Sequence, residues 1–121
     1  MRRLRDFAID ESQTIKAAIS LIQKNETRCV IVVTGEDKVI GTFSEGDVLR
    51  AILSGIDIHT PLKKVVRPTF IYLREQNLTK ARKYFLQGLT LVPVVDEDFV
   101  LKGVVTVFDY FTELEKVSPA V

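Results

Sequence analysis

Apolar and polar positions run through one pattern along this chain and then repeat it. Phe7-Ala8-Ile9 opens as a short strand. Ser12 or Thr14 then starts a helix whose apolar positions Ile15, Ala18, Ile19 and Ile22 lie on one stripe, with Asn25 as its stop. Residues 29–33 are a continuous, largely β-branched run, short enough for a strand covered on both faces. Gly35-Glu36-Asp37 supplies a turn, residues 39–43 an antiparallel partner strand, and residues 47–53 a second helix closed by Ser54-Gly55.

After a break at residues 57–61 the order begins again. Thr60 before Pro61 predicts an N-cap and a single turn through Val66. Residues 69–73 read as a strand, and Asn77 caps a helix with Leu78, Ala81 and Phe85 inward. Residues 91–95 form the buried strand, Asp96-Glu97-Asp98 a turn, and residues 100–106 the returning strand. A last helix is expected from Asp109 to about Leu114, and residues 116–121 carry no pattern. The strands of the two halves match at a step of 62 residues, whereas Ile15 matches Leu78 at 63. One extra residue in the first helix–strand loop is the expected reason.

The predicted organisation is therefore two units, residues 1–58 and 59–121, each strand, helix, strand, strand, helix. A unit of about 60 residues buries too little surface to be comfortable alone. Packing the two sheets face to face solves this for both, and gives an α+β fold with pseudo-twofold symmetry.

Composition narrows the function more than the fold. The 17 basic and 16 acidic residues leave a net charge of +1, against the basic face that a nucleic-acid binder needs. The single cysteine, Cys29, lies within an apolar run and reads as a buried strand thiol, and the single histidine, His59, as an exposed linker residue. No apolar run reaches membrane-spanning length and no signal peptide is evident, so a cytoplasmic protein is expected. Nothing pairs a nucleophile with a base, and no Walker-type glycine loop occurs, which argues against an enzyme.

The candidate chemistry is a repeated motif. Gly41, Ser44 and Asp47 return as Gly103, Thr106 and Asp109, all at the step of 62. Each hydroxyl and aspartate sits where a strand hands over to a helix. One copy alone reads as a capping box. The same geometry also suits a nucleotide: free N–H groups at a helix start favour phosphate, and an ionised aspartate accepts from ribose hydroxyls. The residues before each hydroxyl, Thr42 with Phe43 and Val104 with Val105, are placed to flank a base. Two copies at one step favour two related clefts over two accidental caps.

These residues resemble the CBS-domain signature, and Leu91-Val92-Pro93-Val94-Val95-Asp96 is similar to that family's buried strand. The likeness covers essentially the whole chain as a tandem pair, a Bateman module. The first repeat departs from the pattern, with Ile31 at the proline position and Thr34-Gly35 where the aspartate falls. The resemblance implies a non-catalytic regulatory module that binds AMP, ADP or ATP, or in some cases S-adenosylmethionine, between its repeats. It implies one cleft of Thr42, Ser44, Asp47, Leu89, Thr90 and Leu91 with Thr60 from the linker. It implies a second of Val104, Thr106, Asp109, Thr27, Arg28 and Cys29 beside the N-terminal lead. The first is favoured because its linker threonine is present. Residues 39–56 are also similar to CBS pairs attached to sugar-nucleotide transferases. A regulated enzyme or transporter domain is the implied partner. The apolar face of the last helix (Val107, Phe108, Tyr110, Phe111, Leu114) makes a homodimerising interaction module the competing expectation.

Overall fold

The computed structural model describes residues 4–117. In the first repeat, β1 (Ala8–Asp10) runs parallel to β2 (Cys29–Val33), which pairs antiparallel with β3 (Val39–Ser44). Helix α1 (Ile15–Asn25) joins β1 to β2, and α2 (Glu45–Leu53) follows β3. The second repeat has α3 (Leu78–Leu86), the antiparallel pair β4 (Leu91–Val95) and β5 (Leu101–Thr106), and α4 (Val107–Val117). Among the described residues no helix is long and apolar enough to cross a membrane.

Strand periodicity explains why β2 is apolar throughout. Val30 and Val32 face the helices, packing with Ile15, Ala18, Ile22, Val48 and Ala51. Cys29, Ile31 and Val33 face the other way and form a shared core with Phe7, Leu91 and Val95. In β4 the division repeats, with Val92 and Val94 turned to Ala81 and Phe85. The middle layer thus joins the two repeats. Without the second sheet the three side chains on that face, Cys29, Ile31 and Val33, would be left in water, at about 1.5–3 kcal/mol for each of the two aliphatic ones, so each sheet depends on its partner.

The hairpin tips make the symmetry explicit. Val39 N–H donates to the Phe99 carbonyl at 2.8 Å, and Leu101 N–H donates to the Asp37 carbonyl at 2.9 Å. These partners are related by the 62-residue step, and Lys38 faces Val100 between them. Each hairpin also carries its bulge at the equivalent place, between Val32 and Val33 and between Val94 and Val95.

Several expectations need correction. The strand expected at residues 69–73 is reduced to one bridge, Leu73 beside Val94. The cause is a single residue. In the first repeat Ile31 N–H donates to the Phe7 carbonyl at 2.6 Å and anchors the chain that leads into β1. Its equivalent is Pro93, which has no N–H to give, so pairing does not extend. The extra residue of the first repeat is not a longer loop: α1 has 11 residues against 9 in α3, and the loop that follows is shorter by one, 26–28 against 87–90, which leaves a net excess of one. Thr60 does not cap a helix. Pro61 holds the position before the short 3-10 turn Leu62–Lys64 and makes no side-chain cap. The linker instead serves α1, whose free Ile15 and Lys16 N–H groups donate to the carbonyls of Thr60 and Ile58 at 3.1 and 2.9 Å. Helices α2 and α4 start two residues before the expected aspartates, because each aspartate sits one turn in. Lys116 and Val117 still belong to α4, and residues 118–121 lie outside the described part.

Candidate functional site: two hydroxyl–aspartate motifs

Both motifs arise from one local device. The last residue of a strand stays extended, its hydroxyl accepts the N–H of the residue three further on, and that residue's carboxylate returns to the strand's last N–H. At Ser44 the hydroxyl accepts from Asp47 N–H at 3.3 Å, and Asp47 Oδ2 accepts from Ser44 N–H at 2.9 Å. At Thr106 the equivalent distances are 3.2 and 2.8 Å. The next N–H in each helix is tied to the chain just before the buried strand: Glu45 N–H donates to the Arg28 carbonyl at 3.0 Å, and Val107 N–H to the Thr90 carbonyl at 2.9 Å. These bonds hold each motif against the strand lead-in of its own repeat.

The surroundings then diverge. Asp47 receives a second bond to Oδ2 from the Ser44 hydroxyl at 3.0 Å, and its Oδ1 meets the Arg50 guanidinium at 2.5 Å. Burial pushes the Asp47 carboxyl up, but the Ser44 backbone bond, the Arg50 bond, the Ser44 hydroxyl and the Arg50 charge outweigh it, so it is held below the usual carboxylate range. Beside it is a hollow of about 270 Å³ bordered by Asp47, Arg50, Lys64 and Arg67. Position 112, the counterpart of Arg50, holds a threonine whose hydroxyl donates to the Phe108 carbonyl at 2.9 Å. Asp109 therefore has no cation three residues on, and it borders a cavity of about 800 Å³. Val104, Thr106, Lys102 and Lys116 line this cavity, with Leu78 and Gln76 from the second repeat and Leu4 and Phe7 from the N-terminal lead.

The remaining candidate residues fall in distinct places. Phe43 and Val105 face the helix-side cores, Phe43 also touching the hollow at Asp47, while Thr42 and Val104 are half-buried. Thr27 is buried, and its hydroxyl contacts Asn25 Oδ1 at 2.9 Å and the Cys29 carbonyl at 3.1 Å. Arg28 is exposed in a left-handed conformation, φ 61°. The Cys29 thiol is pushed up to about 12, first by burial and then by the Asp47 charge, so it stays protonated and inert. Leu89 and Thr90 are half-buried and Leu91 belongs to the shared core. Thr60 lies at the start of α1. Thus Thr42, Ser44, Asp47 and Cys29 come together at one motif, and Val104, Thr106, Asp109 and the N-terminal lead at the other.

The motif glycines are explained by crossing chains. A Cβ on Gly41 would stand 2.7 Å from the Arg67 carbonyl oxygen and 2.6 Å from Val66 Cγ2. A Cβ on Gly103 would meet the Gln76 side chain, whose amide donates to the Val104 carbonyl at 2.8 Å.

Comparison with known proteins places this arrangement. The CBS-domain family model matches residues 1–54 and again 57–116. The chain belongs to the CBS-domain family. It is a CBS pair, the regulatory unit of that family. A CBS-domain-pair/ACT-domain protein from Thermotoga maritima shares 27% identity over 93% of this chain and 90% of its own, with a TM-score of 0.72. The cytosolic domain of the Mg2+ channel MgtE, solved in complex with ATP, shares 25% identity over 89% of this chain and 44% of its own, at a TM-score of 0.67. Arabinose 5-phosphate isomerase GutQ of Salmonella typhi is 31% identical over 85 residues, which make up 68% of this chain. The CBS pair spans only 26% of that isomerase's length. The sequence likeness to transferase-linked pairs thus meets a relative that acts on a sugar phosphate.

Sequence reasoning missed Arg50, Lys102, Gln76 and Lys116. For Arg50 the signal was present, since a residue three after an aspartate shares its helix face. Lys102 directly precedes a motif glycine. Gln76 had no signal, because its role depends on how the linker crosses β5.

Proposed function

We propose that this CBS pair is a non-catalytic sensor of adenine nucleotides, AMP, ADP or ATP, and that its principal site is the cavity at Val104, Thr106 and Asp109. The observation that carries the reading is that cavity. At about 800 Å³ it is within the usual 300–1,000 Å³ of small-molecule sites and about threefold larger than the hollow at Asp47, and it has the motif residues Val104, Thr106 and Asp109 in its wall. This choice replaces the preference for the Asp47 cleft drawn from Thr60.

The chemistry follows from the lining. Asp109 accepts from ribose hydroxyls. Val104 and Leu78 offer apolar surface for a base. Lys102 and Lys116 in the cavity wall, each 3.9 Å from one carboxylate (Asp96 and Glu113), supply the positive charge for phosphate. The MgtE domain solved with ATP supports the nucleotide class. In this reading residues 1–58 and 59–121 are the two repeats of the sensor, and a second domain or a separate chain, an enzyme or a transporter, is the partner it regulates.

Calorimetric titration with AMP, ADP, ATP, GTP and S-adenosylmethionine tests the reading. Saturable binding of an adenine nucleotide supports it. No heat from any of them at millimolar concentration refutes it, and a response to S-adenosylmethionine alone would change the ligand class.

Homodimerisation is a compatible second reading. It is favoured by the outward apolar side chains of α2, Leu49, Ile52 and Leu53, and of α4, Phe111 and Leu114. Light scattering that gives a monomer at high protein concentration would refute it.

A further inference from the structure

We infer that Arg50 decides which of the two sites takes a nucleotide, by occupying the Asp47 carboxylate that a ribose would need. The inference rests on the nucleotide reading above and adds to it a mechanism of site selection. Its basis is the contrast one helical turn beyond two motifs that share the same pair of backbone cap bonds.

A carboxylate offers about four acceptor positions. In Asp47, Oδ2 already receives the Ser44 N–H and the Ser44 hydroxyl, at 2.9 and 3.0 Å. These two bonds belong to the helix cap, and giving them up for a ligand would cost the cap. Ribose must therefore approach through Oδ1, and Oδ1 is the atom that Arg50 holds at 2.5 Å. Arg50 also borders the hollow together with Lys64 and Arg67, so its side chain takes volume as well as an acceptor. At the second motif the same helical position is Thr112, turned back onto the Phe108 carbonyl, and the cavity beside Asp109 is about threefold larger.

The strength of this block is bounded. The Arg50 side chain is 58% exposed, and pairs of this kind are weak. Loss of the pair is worth at most about fivefold in affinity, the equivalent of about 1 kcal/mol. Arg50 thus biases the module toward one nucleotide per chain, and it does so by a contact that salt weakens.

The test uses the whole chain with the second site disabled. In an Asp109→Ala background, a fluorescent ATP analogue is titrated against the protein with and without Arg50→Gln. The expected result is a gain of about three- to fivefold in affinity from Arg50→Gln at low salt, shrinking at 0.5 M salt, with thermal stability lowered only slightly by loss of the exposed pair. Arg50→Lys, which keeps the charge but not the planar fork, should fall between. Equal affinity with and without Arg50 overturns the inference while leaving the nucleotide reading intact. Failure of the wild-type chain to bind any nucleotide overturns both. A wild-type stoichiometry of two with equal affinities overturns the inference alone.

Discussion

Ser44–Asp47 and Thr106–Asp109 cap their helices in the same way, yet one carboxylate is drawn into an ion pair and the other borders a cavity. The backbone does not distinguish them. The difference comes from side chains one helical turn on, Arg50 against Thr112, and from what crosses in front of each strand. Duplication thus supplied two equal frames, and a few substitutions made them unequal. A motif match alone would score both copies alike.

The comparison can be broken first at the carboxylates themselves. Asp109→Ala should weaken adenine-nucleotide binding by about ten- to hundredfold, since hydrogen bonds to a charged group contribute roughly 1.5–3 kcal/mol. Asp47→Ala should change it by less than about twofold. Calorimetry on the two variants reads this directly, and the reverse ranking would invert the account.

The next largest effect concerns the lead-in to each buried strand. The first repeat turns through Glu26 and Arg28 in left-handed conformations, held by buried Asn25. Its amide donates to the carbonyls of Asp6 and Cys29 and accepts from Thr27 N–H. The second repeat makes its turn on Gly88, φ 102°, with no such network needed. Asn25→Ala should cost about 2 kcal/mol in urea unfolding, because buried partners lose their bonds. Gly88→Ala should cost about 1 kcal/mol, through backbone strain alone.

Somewhat smaller is the contrast between the motif glycines. Gly41→Ala drives a methyl group into the Arg67 carbonyl, which is backbone, and should destabilise by about 1–2 kcal/mol. Gly103→Ala meets the end of the Gln76 side chain, which can move, and should cost less than about 1 kcal/mol. Denaturant midpoints of the two variants, at unchanged slope, measure the gap.

The smallest effect is the pH dependence of the Asp47 pair. Its carboxyl lies lower in the folded chain than its ordinary value of 3.8. It therefore adds stability above that value, and the contribution disappears as pH falls through the lower folded value. Asp47→Asn should accordingly lose less stability than the wild type on going from pH 7 to pH 3. An equal loss would show that the pair contributes nothing.

Much of this was legible in the sequence because it rests on periodicity. The step of 62 gave the repeats, and the runs at residues 29–33 and 91–95 gave the two-sided strands at their true bounds. What failed depended on hydrogen-bond supply at a distance. The strand at residues 69–73 looked as good as 7–9 until Pro93 was set beside it, without the N–H that Ile31 provides. Thr60 looked like a cap, but the linker's carbonyls were needed by α1. At the site, the motif residues were visible, while the features on which the proposed order of the two clefts rests were not. Those are Arg50 turning onto Asp47 and the volume left beside Asp109, which only the packed chain determines.

The most direct test of the central claim is a residue-resolved titration. Amide proton–nitrogen spectra of the labelled chain, recorded with increasing ATP, report which motif meets the nucleotide. The account predicts saturable shifts at Lys102–Asp109 and Gln76, with only small changes at Thr42–Asp47. Shifts confined to Thr42–Asp47 and Leu89–Leu91 would contradict it.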